Sequence, residues 1–279
     1  MKVFLLTFLA LVAFALNSIL CRLALGTETI DAVGFTAIRL VSGTTMLSVI
    51  SVVRNRKNTT LKRGNLLSAF LLFAYAICFS FAYLKLTTAT GALILFGSVQ
   101  LTMICVSLFK GERPQIIEWV SLILAFSGLV YLIFPGLSAP PIGYSILMMT
   151  AGISWGFYTL RGRGSENPLA DTTGNFVRST PMILLATIPF LQFIHISGKG
   201  AFLAILSGSL ASGIGYSVWY SVLKHHTGTR AAILQLAVPA IAAFGGIVFL
   251  DEHISLRLVL ASSLILGGIG LAVLGQRSK

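Results

Sequence analysis

Apolar stretches long enough to cross a bilayer fill most of the chain, separated by short polar or Pro/Gly punctuation. A helix that traverses a hydrocarbon layer of about 30 Å needs about 20 residues. The stretches place ten such helices, near residues 3–25, 31–53, 66–86, 89–109, 114–134, 141–161, 172–194, 201–223, 229–250 and 255–275. The breaks are segments such as "GTETID", "RNRKNTTLKRGN", "KGERP", "PGLSAPP", "RGRGSENPLAD", "KHHTGTR" and "LDEHIS", the vocabulary of loops. The fold class expected is an all-α membrane protein. The first stretch begins like a secretory leader, with Lys2 and an "AFA" at 13–15, but its apolar run continues to Leu25 and reads as a span.

Composition sharpens this picture. Of the 279 residues, 56% are hydrophobic and 10% charged, with mean hydropathy +0.92, against about 25% charged in soluble domains. A net charge of +12 would suit nucleic acid, but the basic residues sit between apolar runs, as topological signals do. With the N-terminus on the cytoplasmic side, 14 of the 20 Lys and Arg fall on that side, including Arg54, Arg56, Lys57, Lys62 and Arg63. Arg22, Lys85, Lys199 and Arg257 fall on the other. Both termini are therefore expected to be cytoplasmic. The three cysteines, Cys21, Cys78 and Cys105, lie in apolar runs and read as free buried thiols.

A shift of 139 aligns Arg22 with Arg161, Arg39 with Arg178, Lys85 with Lys224, Thr88 with Thr227 and Thr90 with Thr229. A shift of 140 then aligns Glu112 with Glu252 and Gly128 with Gly268. Five spans match five spans, so the chain divides into a first repeat at 1–138 and a second at 139–279. Because five is odd, the second repeat enters the membrane with the opposite orientation. Inverted repeats of this kind accompany transporters, with a site between the repeats near the midplane.

The segment "AAILQLAVPAIAAFGGIVFLDEHISLRLVLASSLILGGIGLAVL", its first-half copy "LILFGSVQLTMICVSLFKGERPQIIEWVSLILAFSGLVYL", and "FALNSILCRLAL" followed by "FTAIRLVSG" resemble the EamA-type branch of the drug/metabolite transporter superfamily. The resemblance covers essentially the whole chain. It implies ten transmembrane helices as two inverted five-helix repeats, and export or exchange of small metabolites. Related small multidrug exporters carry a carboxylate in their first helix. Span 1 here offers Asn17 and Ser18 in its central stretch, and Glu118 in span 5 lies only about one turn inside the membrane, which disfavours cationic drug export by that route.

The candidate chemistry centres on two intramembrane arginines. Arg39 lies about 12 Å from the outer end of span 2 at 1.5 Å per residue, and Arg178 a similar distance from the inner end of span 7. An arginine at a helix centre costs about 2.5–3.5 kcal/mol on insertion scales. Each reads either as a snorkelling or carbonyl-paired side chain, or as a bidentate partner for an anionic or zwitterionic substrate. Arg178, with Asn175 one turn before it, is the better candidate for substrate contact; Arg39 suits a gate or a structural pair.

Ser209, Ser212, Tyr216 and Tyr220 share one helical face in span 8, to bond a neighbour or line a cavity. Trp155 and Tyr158 stand in span 6 beside "GISWG", which suits helix packing. Gln100, Gln235 and Pro239 add polarity or a freed carbonyl in spans 4 and 9, Pro239 being a hinge or a tolerated kink. Glu112 and Glu252 read as helix caps. His195, His225, His226 and His253 fall in loops or at helix ends without metal spacing.

The expectation is a secondary transporter, an exporter of small anionic or zwitterionic metabolites such as amino acids or related compounds, working by alternating access. The alternatives are a membrane-embedded enzyme and a channel-like scaffold. The first would need a nucleophile with a base or a metal cluster at membrane depth; the inverted repeat argues against the second. No cofactor or metal is expected. The partners expected are a small-molecule substrate and the lipid bilayer of a bacterial inner (cell) membrane.

Overall fold

The computed structural model describes residues 2–54, 63–109, 116–134, 136, 139–162, 165–223, 234–235 and 237–275. They form ten helices: α1 Lys2–Gly26, α2 Ala32–Arg54, α3 Leu66–Ala82, α4 Thr88–Phe109, α5 Ile116–Ile133, α6 Ile142–Gly162, α7 Pro168–Thr187, α8 Gly198–Leu223, α9 Ala237–Leu250 and α10 Leu256–Gly275. A 3₁₀ turn, Ile188–Phe193, extends α7. Helix α8 is α-helical over Gly198–Leu206 and Gly215–Leu223 and π-helical over Ser207–Ile214 between them. Glu112, Pro114, Lys224, His225, His226, Thr227, Thr229 and Arg230, and the Glu118 side chain, lie outside the described residues.

Local side chains set the helix starts. The Asn167 carboxamide accepts the Ala170 N–H at 3.2 Å, and Pro168 opens the helix, so α7 begins ahead of the expected 172. Ser197 accepts the Gly200 N–H at 3.1 Å and likewise starts α8 at Gly198. Asp31 caps α2 through the Gly34 N–H at 2.8 Å, and Asn65 caps α3 through the Ser68 N–H at 2.8 Å.

The burial pattern inverts that of a water-soluble protein. Phe4, Val53, Leu66, Phe126, Leu185 and Phe244 are exposed, whereas Asn17, Arg39, Gln100 and Gln235 are buried. Five helical stretches are long and apolar enough to cross a membrane by length and composition alone. Exposed hydroxyls bond back to their own helix: Thr45 to the Val41 carbonyl at 3.0 Å, Thr150 to that of Ile146 at 2.9 Å and Ser263 to that of Val259 at 2.9 Å. Such bonds satisfy a polar group where no water is present.

Helices α1–α4 and α6–α9 pack around the centre, and α5 and α10 pair beside them. Exchanging the halves leaves the main pairings unchanged. The α3–α6 contact corresponds to α8–α1, α4–α6 to α9–α1 and α3–α7 to α8–α2, while α2–α7, α4–α9 and α5–α10 map onto themselves. The small residues of "GISWG" serve packing. A Cβ on Gly152 would stand 2.6 Å from the Leu95 carbonyl oxygen of α4, so only glycine lets α6 approach that closely.

The helix ends gather on two faces. On the first, Ile30 and Ile196 form an isolated antiparallel bridge, with the Asp31 N–H donating to the His195 carbonyl at 3.1 Å and the Ser197 N–H to that of Thr29 at 2.9 Å. The Asp31 carboxylate also accepts the His195 N–H at 3.1 Å. This clasp face includes Glu252, which pairs with Arg22 at 3.5 Å and accepts the Thr88 N–H at 2.9 and 2.8 Å. Glu252 therefore caps α4, which lies far from it in sequence. On the opposite, vestibule face, the Gly64 N–H donates to Asp171 at 3.3 Å and the Asn65 N–H to the Asn175 carboxamide oxygen at 3.0 Å. Helix α1 ends on the clasp face and α6 on the vestibule face.

Candidate functional site

Four helices converge on Arg39, which is 1% exposed. Its Nε donates to Ser212 Oγ at 3.1 Å, and its Nη2 donates to the hydroxyls of Tyr75 at 3.1 Å and Tyr216 at 3.2 Å. The two tyrosine hydroxyls stand 3.3 Å apart. Asn17 donates to the Tyr75 hydroxyl at 3.1 Å and accepts from Ser207 at 2.6 Å. One connected network thus joins α1, α2, α3 and α8. The guanidinium carbon lies 5.2 Å from the Tyr75 ring centre and 5.0 Å from that of Phe79, within cation–π range.

The π-helical stretch of α8 sets this geometry. Residues Ser207 and Ser212, five apart, reach Asn17 and Arg39 respectively, as a π-helical i→i+5 repeat permits. Ser209, expected on the same face, bonds instead to its own Ile205 carbonyl at 2.6 Å, because the wider turn changes the register. Gly208 allows α8 to touch α2 here: a Cβ would collide with the Arg39 carbonyl oxygen.

Arg39 carries an unneutralised charge. Its Nη1 is buried with no hydrogen-bond partner, and the ion pair among the described residues is Arg22–Glu252. A buried cation needs pairing, and Arg39 has hydroxyls and ring faces in place of a carboxylate. Tyr75, Phe79 and Tyr216, which surround it, also line a central cavity with Phe14, Asn17 and Trp155. That cavity measures ≈ 10 Å³, about the least volume that admits one water. Trp155 closes it, its ring centre 4.9 Å from that of Tyr75 and 4.7 Å from that of Tyr216.

Towards the vestibule face the space widens. A cavity of ≈ 330 Å³ is lined by Asn65, Tyr158, Arg161, Asp171, Asn175 and Tyr220, among others. Tyr158 links it to the centre, its ring 5.5 Å from Trp155 and 6.3 Å from Tyr220. Arg161 donates through Nε to Ser68 at 3.1 Å and through Nη2 to Asn65 at 3.3 Å.

The candidates from the sequence thus separate into groups. At the centre Arg39 bonds to Tyr216 and Trp155 packs on the Tyr216 ring, whereas Asn175, Tyr158 and Tyr220 line the vestibule. Arg178, expected to be the better placed for substrate, stands apart from the central network: its Nη1 donates to the Arg63 carbonyl at 2.6 Å and the Gly174 carbonyl at 2.9 Å. The two arginines differ by one residue of register. Arg39 follows Asp31 by eight positions and Arg178 follows Asp171 by seven, a rotation of about 100° around a helix. Gln235 is buried just before α9, and Pro239 is buried near the start of that helix. Cys21 is buried, and Cys78 and Cys105 are half-buried free thiols.

Tyr75 and Asp171 were not singled out from the sequence. Tyr75 lies with Phe79 and Tyr83 at spacings of four, the same aromatic stripe as Tyr216 and Tyr220. Asp171 shares the pattern D-x-x-G with Asp31 at a shift of 140.

The model of the EamA-like transporter family matches this chain twice, over residues 1–134 and 143–274. A protein of Pseudomonas aeruginosa, described only as uncharacterized, is 47% identical over 97% of this chain and 94% of its own length. An uncharacterized transporter of Archaeoglobus fulgidus is 25% identical over 88% of this chain and 89% of its own. A solved crystal structure with 18% identity superposes with a TM-score of 0.69 over 97% of both chains, a likeness of fold alone. Ten apolar helices, eight of them around a polar centre, and a family match along nearly the whole length lead to one conclusion: the chain is an integral multi-pass membrane protein and belongs to the EamA-like transporter family.

Proposed function

We propose that the protein exports small anionic or zwitterionic metabolites, with Arg39 receiving the anionic group at the centre of the membrane. The observation that carries this reading is the buried, unneutralised guanidinium of Arg39, whose Nη1 has no partner. A carboxylate offers such a group two oxygens and a bidentate geometry. Arg39 takes this role in place of Arg178, which is committed to backbone carbonyls.

The two halves, 1–138 and 139–279, act as inverted repeats. Their exchangeable packing and the opposite directions of α1 and α6 support this, and alternating access follows when one half rocks against the other. The vestibule face is cytoplasmic and the clasp face external, as the basic residues of the 54–63 segment favour. Both termini are then cytoplasmic, in a bacterial inner membrane. In the arrangement seen, the vestibule is open, the centre is collapsed and the clasp is shut. No catalytic constellation is invoked; the site binds and releases.

The test is a metabolite screen. Accumulation is compared in cells with and without the protein, and the hits are assayed for saturable counterflow in proteoliposomes. The expected hits carry a carboxylate or another anionic group, and Arg39→Gln abolishes their counterflow while the protein remains folded. Hits that are exclusively cationic, or wild-type counterflow by Arg39→Gln, would overturn the reading.

A further inference from the structure

We infer that the vestibule is a second, bipolar binding site, which takes a zwitterion with its carboxylate on Arg161 and its ammonium group on Asp171 before the molecule reaches Arg39. This inference rests on the transport reading above and narrows its substrate class to zwitterions. The cavity volume of ≈ 330 Å³ falls within the range of small-molecule sites, roughly 300–1,000 Å³.

Both charges line the same cavity without neutralising each other, since the ion pair among the described residues is Arg22–Glu252. A guanidinium has five N–H donors, and the bonds of Arg161 to Ser68 and Asn65 engage Nε and Nη2. These bonds hold the guanidinium plane in place while leaving donors for a ligand. The Asp171 carboxylate accepts the Gly64 N–H on one oxygen and the Ser165 hydroxyl on the other. Two carboxylate oxygens offer about four acceptor positions, so capacity remains for an ammonium group.

One helix end reinforces the positive pole: the α3 cap Asn65, which accepts from Arg161, lines the cavity, and helix N-termini favour negative charge. The N-terminus of α7 at Pro168 is already answered by Asp171 in its own first turn. A second observation points to a ligand independently of those ends. Tyr220 is 4% exposed and lines the cavity, and its hydroxyl, with Thr159 of α6 beside it, makes no hydrogen bond of full geometry. A purely anionic ligand would answer Arg161 but be repelled by Asp171, and a purely cationic one the reverse. A zwitterion answers both. Its onward route passes Tyr158 and Trp155, whose rings lie 5.5 Å apart.

The experiment uses the full-length protein in lipid nanodiscs. Binding of the standard L-amino acids is measured by calorimetry, each beside its N-acetyl form, which lacks the ammonium charge, and its amide, which lacks the carboxylate. At least one amino acid is expected to bind about tenfold more tightly than both of its analogues, a difference of about 1.4 kcal/mol. Arg161→Gln should erase the preference over the amide, and Asp171→Asn the preference over the N-acetyl form. Asp171→Glu, which keeps the charge, should retain the preference. A merely capping role for Asp171 would shift melting temperature without moving these ratios. Absence of binding by every amino acid, or wild-type ratios in both charge-removing variants, would overturn the inference. Central and vestibular failures are separable: wild-type ratios in the Arg161 and Asp171 variants beside a counterflow-dead Arg39→Gln would remove the vestibule site and leave the Arg39 reading standing.

Discussion

The clasp face and the vestibule face are made of corresponding residues in different states. Arg22 and Arg161 correspond at a shift of 139, and Asp31 and Asp171 at 140. On the clasp face Arg22 pairs with Glu252 and donates to the Tyr83 and Leu84 carbonyls at 3.0 and 3.2 Å. Asp31 grips the segment before α8. On the vestibule face Arg161 and Asp171 line an open cavity. Asp171 grips the segment before α3, the counterpart of the one Asp31 holds. The comparison teaches that near-symmetric sequence need not give symmetric occupancy. One set of contacts closes a face while its counterpart leaves a space, and we read the alternative access state as the exchange of these roles.

The largest effect expected is from locking the clasp. Residues opposed in an antiparallel bridge have Cα atoms about 4.5–5.5 Å apart, within disulfide reach of about 4.4–6.8 Å. A double variant Ile30→Cys, Ile196→Cys should therefore lose counterflow on oxidation and regain it on reduction. Full counterflow in the oxidised protein would show that the clasp need not open.

Glu252→Gln should act less severely but in the same place. It weakens the cap on α4 and removes the partner of Arg22, lowering stability by about 1–2 kcal/mol. A single cysteine at position 30 should then react faster with a membrane-impermeant thiol reagent, while one at position 65 should not. Unchanged labelling at position 30 would mean that the Arg22–Glu252 pair does not hold the clasp.

The smallest effect is expected at Arg178. A lysine can still donate to the Arg63 and Gly174 carbonyls but lacks the planar fork. Arg178→Lys should change the apparent KM by less than about threefold, near 0.6 kcal/mol, whereas Arg39→Lys should raise it by more than tenfold, about 1.4 kcal/mol. Counterflow kinetics would separate the two, and a larger effect at Arg178 would return it to the substrate path.

Span positions were legible because lipid imposes a one-dimensional rule: each crossing needs its own apolar run with internally satisfied backbone. Arginines, threonines and glutamates recur at a nearly constant offset, and the same family model matches twice, over 1–134 and 143–274. The central site was only partly legible. Arg39, Trp155 and Tyr216 stood out as costly or amphipathic residues in apolar runs. Tyr75 does not, because at the offset of 139 Tyr216 and Tyr220 fall on Ile77 and Phe81, so the repeat does not point to it. The π-helical turn of α8 changed the register further, replacing Ser209 by Ser207 in the network.

By itself, then, the sequence determined that this is a ten-helix membrane protein with related halves and two arginines too expensive to bury without purpose. Hydropathy and charge act residue by residue, and they can be read without knowing which helix faces which. Only the tertiary structure decided which arginine occupies the centre, that Glu252 caps α4, and that Arg161 and Asp171 share a cavity without pairing. Those outcomes depend on helix rotation and close approach. A one-residue difference in register turns a side chain by about 100°, from a network of hydroxyls and rings to the Arg63 loop carbonyl and the Gly174 carbonyl one turn back on its own helix.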